Sequence, residues 1–147
     1  MANAASLLLE IGTEEIPAGY LARALTDLAT LAAERLRAAR LESAGVQTLG
    51  TPRRLTLFVR EVATRQTDVS EVVTGPPVKA AFDASGQPTK AALGFAQKNG
   101  VLPADLTVIE VPGKGSYVAA RRSELGEGTR AILPRLLADL VSGLSWK

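Results

Sequence analysis

The 147 residues include no histidine and no cysteine. Those absences exclude a Cys nucleophile, a Ser-His-Asp triad and a structural zinc site built on thiolate or imidazole. Any acid–base chemistry is left to Asp, Glu, Lys or Tyr. Aromatic residues make up only 4% of the chain, so the core must rest on Leu, Val, Ile and Ala. Phe58, Phe82, Phe95, Tyr20, Tyr117 and Trp146 are scattered, which argues against a platform for stacking unpaired bases. Contact with the phosphates and sugars of a folded RNA stays open. No apolar run approaches the length that spans a bilayer, and no membrane partner is expected. Met1 to Ser6 lacks the basic and apolar regions of a secretory leader, so the expected compartment is the cytoplasm. Lack of Cys is compatible with that. No single sign of charge dominates: 17 Lys and Arg face 15 Asp and Glu, a net of +2. Only clustering of the bases on one face would point to a nucleic acid.

What is present is a folding sequence. Hydrophobic residues make up 46% against 22% charged, which suits one domain with a real core. Ser6–Gly12 reads as a buried strand and Thr13–Pro17 as a loop into a helix, with Pro17 at the first helical position. From Ala18 to about Ala44, Leu21, Leu25, Leu28, Ala32, Leu36 and Ala39 recur at helical steps on one face. Gly45 is the expected stop. Val46–Thr51 and Leu55–Val62 read as strands, the second with Leu55, Leu57 and Val59 alternating toward the core. Ala63–Pro77 reads as looser, with a short strand at Glu71–Thr74. Lys79–Pro88 is a turn around Asp83–Gly86, and Thr89 is expected to cap a helix through Asn99 that Gly100 ends. Leu106–Val111 and Ser116–Arg122 flank Pro112-Gly113-Lys114-Gly115 as a hairpin. Thr129 is expected to cap a last helix, opened locally by Pro134, with Ile132, Leu133, Leu136, Leu137, Leu140, Val141 and Leu144 on a broad apolar stripe. An end as apolar as Trp146-Lys147 reads as a cut from a longer protein. The order β-α-β-β, loop, α-β-β-α predicts an α+β two-layer sandwich, with a mainly antiparallel sheet covered by helices.

Few motifs carry chemistry. Glu14-Glu15 could divide acid and base roles, but adjacent side chains point apart, and carboxylates near a helix start are favoured by the macrodipole in any case. A small-molecule enzyme using them would need a deep pocket beside them. Gly113-Lys114-Gly115-Ser116 lacks the first glycine and the following helix of a phosphate loop; it is a turn. Pro52-Arg53-Arg54 places two planar donor forks, matched to phosphate oxygens, at the start of a strand. The competing reading is a solvated pair or an ion pair to Glu14 or Glu15. Arg121-Arg122 is a weaker pair because strand alternation separates the two. Lys79, Lys90 and Lys98 surround the middle loop and helix, as solubilising lysines commonly do.

Read together, these segments resemble a known family. Leu9–Pro17 (LEIGTEEIP) is similar to the opening of the β subunit of heterotetrameric glycyl-tRNA synthetase, and Thr51-Pro52-Arg53-Arg54-Leu55 to its [AT]-P-R-R-L segment. Gly75-Pro76, Ala81-Phe82-Asp83, Gly86–Ala92 and Gly94-Phe95-Ala96 follow in the family's order, as does Lys114-Gly115 before Tyr117. The match is collinear and covers the amino-terminal fifth or so of such a subunit; residues 1–147 would be all or part of its amino-terminal domain. The resemblance implies a B3/B4-like fold and a ligase of two α and two β chains that joins glycine to tRNA(Gly) with ATP. ATP and Mg would belong to the α subunit, with no cofactor in this fragment. The implied partners are that α subunit, tRNA(Gly) and the remaining domains of β. No catalytic residue carries over, and no metal ligand is expected. Arg53 and Arg54, then Lys79 and Lys90, are the expected phosphate contacts. Glu14, Glu15 and Pro17 are expected to fix a turn or an interface. The alternative is a docking domain that never touches RNA, marked by an exposed apolar patch near Leu140, Leu144 and Trp146.

Overall fold

The computed structural model describes residues 3–145. Its elements run β1 (Ala4–Gly12), α1 (Ala18–Ala38), β2 (Gly45–Thr51), β3 (Arg54–Ala63), β4 (Val69–Pro77), α2 (Val78–Ala81), α3 (Lys90–Lys98), a 3-10 turn at Pro103–Asp105, β5 (Thr107–Val111), β6 (Gly115–Glu124) and α4 (Thr129–Gly143). The α+β class holds, but the single expected sheet is two three-stranded antiparallel sheets, ordered β1-β3-β2 and β4-β6-β5. They belong to separate compact units, one from residues up to Thr67 and from Gly126 onward, the other from Asp68–Leu125.

In the first unit α1, α4 and one face of the sheet enclose a single core. Leu28, Ala32 and Leu36 of α1 meet Leu55, Leu57, Val59 and Val62 of β3 and Leu136, Leu140 and Leu144 of the last helix and its cap. Each leucine buried there contributes about 1.5–3 kcal/mol. The exposed patch that would mark the docking alternative does not form at Leu140 and Leu144, since both are inside this core at 0% and 6% exposure; Trp146 lies outside the described residues. Ser6–Gly12 was expected to be a buried strand. Instead β1 is an edge strand with Leu7, Leu9 and Ile11 inward and Leu8 and Glu10 in solvent.

Two departures from simple periodicity set the register. The alternation of β3 breaks at Glu61, whose φ of 49° marks a bulge. There Arg60 and Glu61 together oppose Ser6, since Leu7 pairs with Val59 and Ala5 with Val62. The extra residue returns Val62 to the core. Helix α1 stops at Ala38, six residues before the expected end. Arg40 at φ 55° takes the left-handed position, donating to Arg37 O, while the Leu41 amide donates to Leu36 O, both at 2.9 Å. This Schellman pairing tucks Leu41 against the core, and the Gln66 side-chain amide donates to Ala39 O at 2.8 Å. Gly45, the expected stop, opens β2 instead.

The helix starts also shift. Pro17 is the N-cap, one residue ahead of its expected place. Thr129 is the first residue of α4 rather than its cap, and its buried hydroxyl donates to Ala63 O at 2.5 Å. Pro134 lies inside the helix, which runs on through it.

The second unit packs α2 and α3 on its sheet around Ala81, Ala92 and Val118, with Phe82 and Phe95 alongside. The expected helix over Thr89–Asn99 forms, and Gly100 at φ 67° ends it as expected, its amide donating to Gln97 O. Thr89 holds the N-cap position, but its hydroxyl donates back to Ala80 O at 2.6 Å. The Lys114 hairpin is also as expected. The short strand at Glu71–Thr74 is corrected to the nine residues of β4, which pair along β6.

Candidate nucleic-acid interface

The two most distinctive sequence segments of the first unit form one structure. Thr51 pairs with Arg54 across a two-residue turn, Pro52-Arg53. Proline holds φ negative and Arg53 is not among the positive-φ residues, so neither the primed hairpin turns nor type II is available. A type I turn splays the strands it joins unless something holds them. The loop after β1 does so: Thr13 N–H donates to Arg53 O at 3.0 Å and Ile16 N–H to Pro52 O at 2.6 Å. Ile16 is buried in the core beneath. The hairpin tip is thus fixed through its backbone, and its side chains are left to solvent.

Arg53 and Arg54 are both exposed but differ in company. Arg54 reaches Glu10 on β1, Nη1 to Oε1 at 3.8 Å, with both side chains more than half exposed. The competing reading put such a pair on Glu14 or Glu15; Glu10 makes it instead, because β1 runs alongside β3 with Gly12 opposite Arg54. An ion pair this exposed holds its partners weakly. Among the described residues, the Arg53 guanidinium has no hydrogen-bond or ion-pair partner. Lys79 and Lys90 lie in the second unit, both exposed, in α2 and at the first residue of α3. The Thr89 to Ala80 hydrogen bond joins the residues next to each. In β6, Arg122 pairs with Glu71 at 4.0 Å across the strands.

Beside the hairpin clamp, Thr13, Glu14, Glu15, Ile16, Pro17, Tyr20, Arg23, Ala24 and Ser145 line an open cleft of about 600 Å³. The surface at the two carboxylates is therefore concave. Both are exposed, and neither has a partner among the described residues. No three potential metal-ligating side chains converge among the described residues. The turn that Glu14, Glu15 and Pro17 were expected to fix is held by backbone amides.

Sequence reasoning missed Glu10, Thr13, Tyr20 and Arg23. Glu10 could have been found from the alternation in β1, which places it on the face opposite Leu9 and Ile11. Thr13 gives no such signal. Its Oγ1 is buried without a hydrogen-bond partner among the described residues, a state that costs about 1–3 kcal/mol. Thr13→Val keeps the shape and removes the hydroxyl. It is expected to raise stability by about 1 kcal/mol in urea unfolding. A loss of that size would show that the hydroxyl does bond.

The profile of the glycyl-tRNA synthetase beta subunit matches residues 7–147. The chain is 44% identical over 144 residues to the glycine–tRNA ligase beta subunit of Citrifermentans bemidjiense, covering 98% of this chain and 21% of that one. It is 48% identical over 141 residues to that of Desulfitobacterium hafniense, covering 96% and 20%, and 47% over 143 residues to that of Moorella thermoacetica, covering 97% and 20%. These relatives are subunits of an aminoacyl-tRNA synthetase. The chain belongs to the glycyl-tRNA synthetase β-subunit family. It spans about a fifth of the length of the curated relatives it matches.

Proposed function

We propose that this chain serves a glycine–tRNA ligase as a non-catalytic part that helps bind and position tRNA(Gly). The ligation of glycine to tRNA with ATP, and the Mg that accompanies ATP, belong in this reading to an α subunit; the compartment is the cytoplasm. Residues 1–147 are read as all or part of the amino-terminal domain of a longer β subunit. The observation that carries the reading is Arg53. It is a guanidinium without a partner among the described residues, at the tip of a turn whose backbone two amides from the neighbouring loop hold still. A fixed mounting lowers the entropy lost when the planar fork takes a phosphate. Arg54 adds a second fork that must leave Glu10 to do so. Lys90 stands at the start of α3, where the macrodipole disfavours a cation; an anionic ligand offsets that. With Lys79 it is the weaker pair. Glu14, Glu15 and Pro17, on the cleft beside the clamp, are read as an interface with another part of the synthetase.

The test uses a full-length subunit, with this sequence in place of the matching fifth of the Desulfitobacterium hafniense β chain, assembled with its α partner. Arg53→Ala with Arg54→Ala should weaken tRNA(Gly) binding about tenfold. The slope of log affinity against log salt should become shallower by roughly one for each phosphate that is no longer neutralised. Arg53→Ala alone should account for more of the weakening than Arg54→Ala alone, since Arg54 already has Glu10. Unchanged affinity and slope in the double variant would remove both residues from the site.

A further inference from the structure

The first sheet has an outer face that its own helices leave bare, and apolar side chains interrupt the polar surface that such a face normally presents. In β3, Leu55, Leu57 and Val59 point into the core, so Thr56, Phe58 and Arg60 point outward. Register pairs Leu8 of β1 with Phe58, and Phe58 with Gln47 of β2. In the next row Glu10 pairs with Thr56, and Thr56 with Leu49. Leu8 is 62% exposed and Leu49 68%, and the partly covered Phe58 ring lies between their strands. Charge enters the second of these rows at Glu10, which pairs with Arg54 of the row beyond it, and Arg60 stands at the other end. The Arg60 guanidinium extends over Gly45, its Nη2 3.0 Å from where a Cβ would stand. It has no ion-pair partner among the described residues.

We propose that this face is the seat of an amphipathic helix from the part of the family's chain outside the matched region, with an apolar stripe over Leu8, Phe58 and Leu49 and a carboxylate meeting Arg60. Four observations select that occupant. The relatives carry this region as only 20–21% of their length, so a large amount of covalently tethered chain exists to cover it. The patch is small: two leucines and part of a phenylalanine fall well short of the roughly 600 Å² per partner that the smaller stable bimolecular interfaces bury. A tether removes most of that requirement by raising the effective concentration. Three strands at about 4.8 Å spacing make a bed that one helix of about 10 Å diameter fills. Finally, the cations of this face stand only at its two ends, Arg54 (paired with Glu10) and Arg60, so an RNA backbone laid between them would set phosphates on Leu8, Leu49 and the Glu10 carboxylate. The inference is independent of the arginine-tip reading, because it uses the opposite character of the surface.

The experiment again uses the full-length grafted subunit in its assembly. A photoreactive benzoylphenylalanine replaces Leu49, and in a control Leu102, an equally exposed leucine at 67% in the second unit. After irradiation the crosslinked peptides are mapped. Leu49 should give an intrachain crosslink to one helical peptide outside residues 7–147, and Leu102 should not reach that peptide. Crosslinks to a second β copy, to the α chain or to tRNA, or recovery of none, would each overturn the proposal. A second measurement guards against a perturbing probe. Leu8→Ser with Leu49→Ser should lower the full-length subunit's unfolding midpoint by about 3 °C or more while Leu102→Ser leaves it in place; equal midpoints would also overturn it.

Discussion

Leu140→Ala should lower stability by about 2–5 kcal/mol, the usual range for emptying a fully buried leucine site. Leu140 is 0% exposed and packs with Leu28, Leu36, Leu55 and Leu57. Its helix follows β3 only after all of Asp68–Leu125, which folds as a separate unit. The substitution therefore tests whether the last segment completes the first core. Urea unfolding of the 147-residue chain reads the change. Leu93→Ala, at a site 44% exposed in α3, serves as the control and should cost far less. A loss below about 0.5 kcal/mol for Leu140→Ala would detach α4 from the core described above.

Gly126→Ala should be nearly as damaging for a different reason. A Cβ at Gly126 would stand 2.0 Å from Gln66 O and 2.6 Å from its carbonyl carbon, distances that backbone cannot accommodate without moving. The segment it would displace is heavily used. Gln66 N–H donates to Glu127 O at 2.9 Å, Glu127 N–H donates to Gln66 Oε1 at 3.0 Å, and the Gln66 side chain holds the end of α1. Overpacking typically costs about 1–3 kcal/mol, and the loss should reach the upper end because the obstacle is main chain. Thermal unfolding should show a fall of several degrees. A midpoint that does not move would mean that the two segments are not held this close.

The sequence made most elements legible where a single local signal governed them. Leu55, Leu57 and Val59 announced the core face of β3, and Gly100 closed α3 as its freedom at positive φ suggests. The glycines at 113 and 115 opened the second hairpin. Misreadings arose where a distant partner decided. Nothing local in Arg40 says that the helix ends there; the burial of Leu41 and the reach of Gln66, 27 residues from the Ala39 carbonyl it caps, decide it. The bulge at Glu61 has no glycine to mark it, so the return of Val62 to the core was hidden. One sheet was expected because every strand has a near neighbour in sequence. The β1–β3 and β4–β6 pairings span tens of residues, and it is they that divide the strands into two sheets. The hydrophobic stripe of the last helix was legible, but its cover, the β3 and α1 core, was not, because it lies far away along the chain.

The site was legible to the same extent. Arg53 and Arg54 could be singled out by residue type and by the proline beside them. Their different fates could not be, because the Glu10 that engages Arg54 lies across a strand pair rather than in the Glu14-Glu15 loop. The clamp from Thr13 and Ile16 is made of backbone amides, which leave no mark in side-chain chemistry. That clamp turns two surface cations into a fixed feature, and the RNA reading depends on it.

Ultraviolet crosslinking of tRNA(Gly) to the full-length assembly, followed by mapping of the crosslinked peptides, addresses that reading most directly. Adducts are expected on the peptide containing Pro52-Arg53-Arg54, and they should vanish when Arg53 is replaced by Ala. Abundant adducts elsewhere in the subunit with none in residues 3–145 would contradict it.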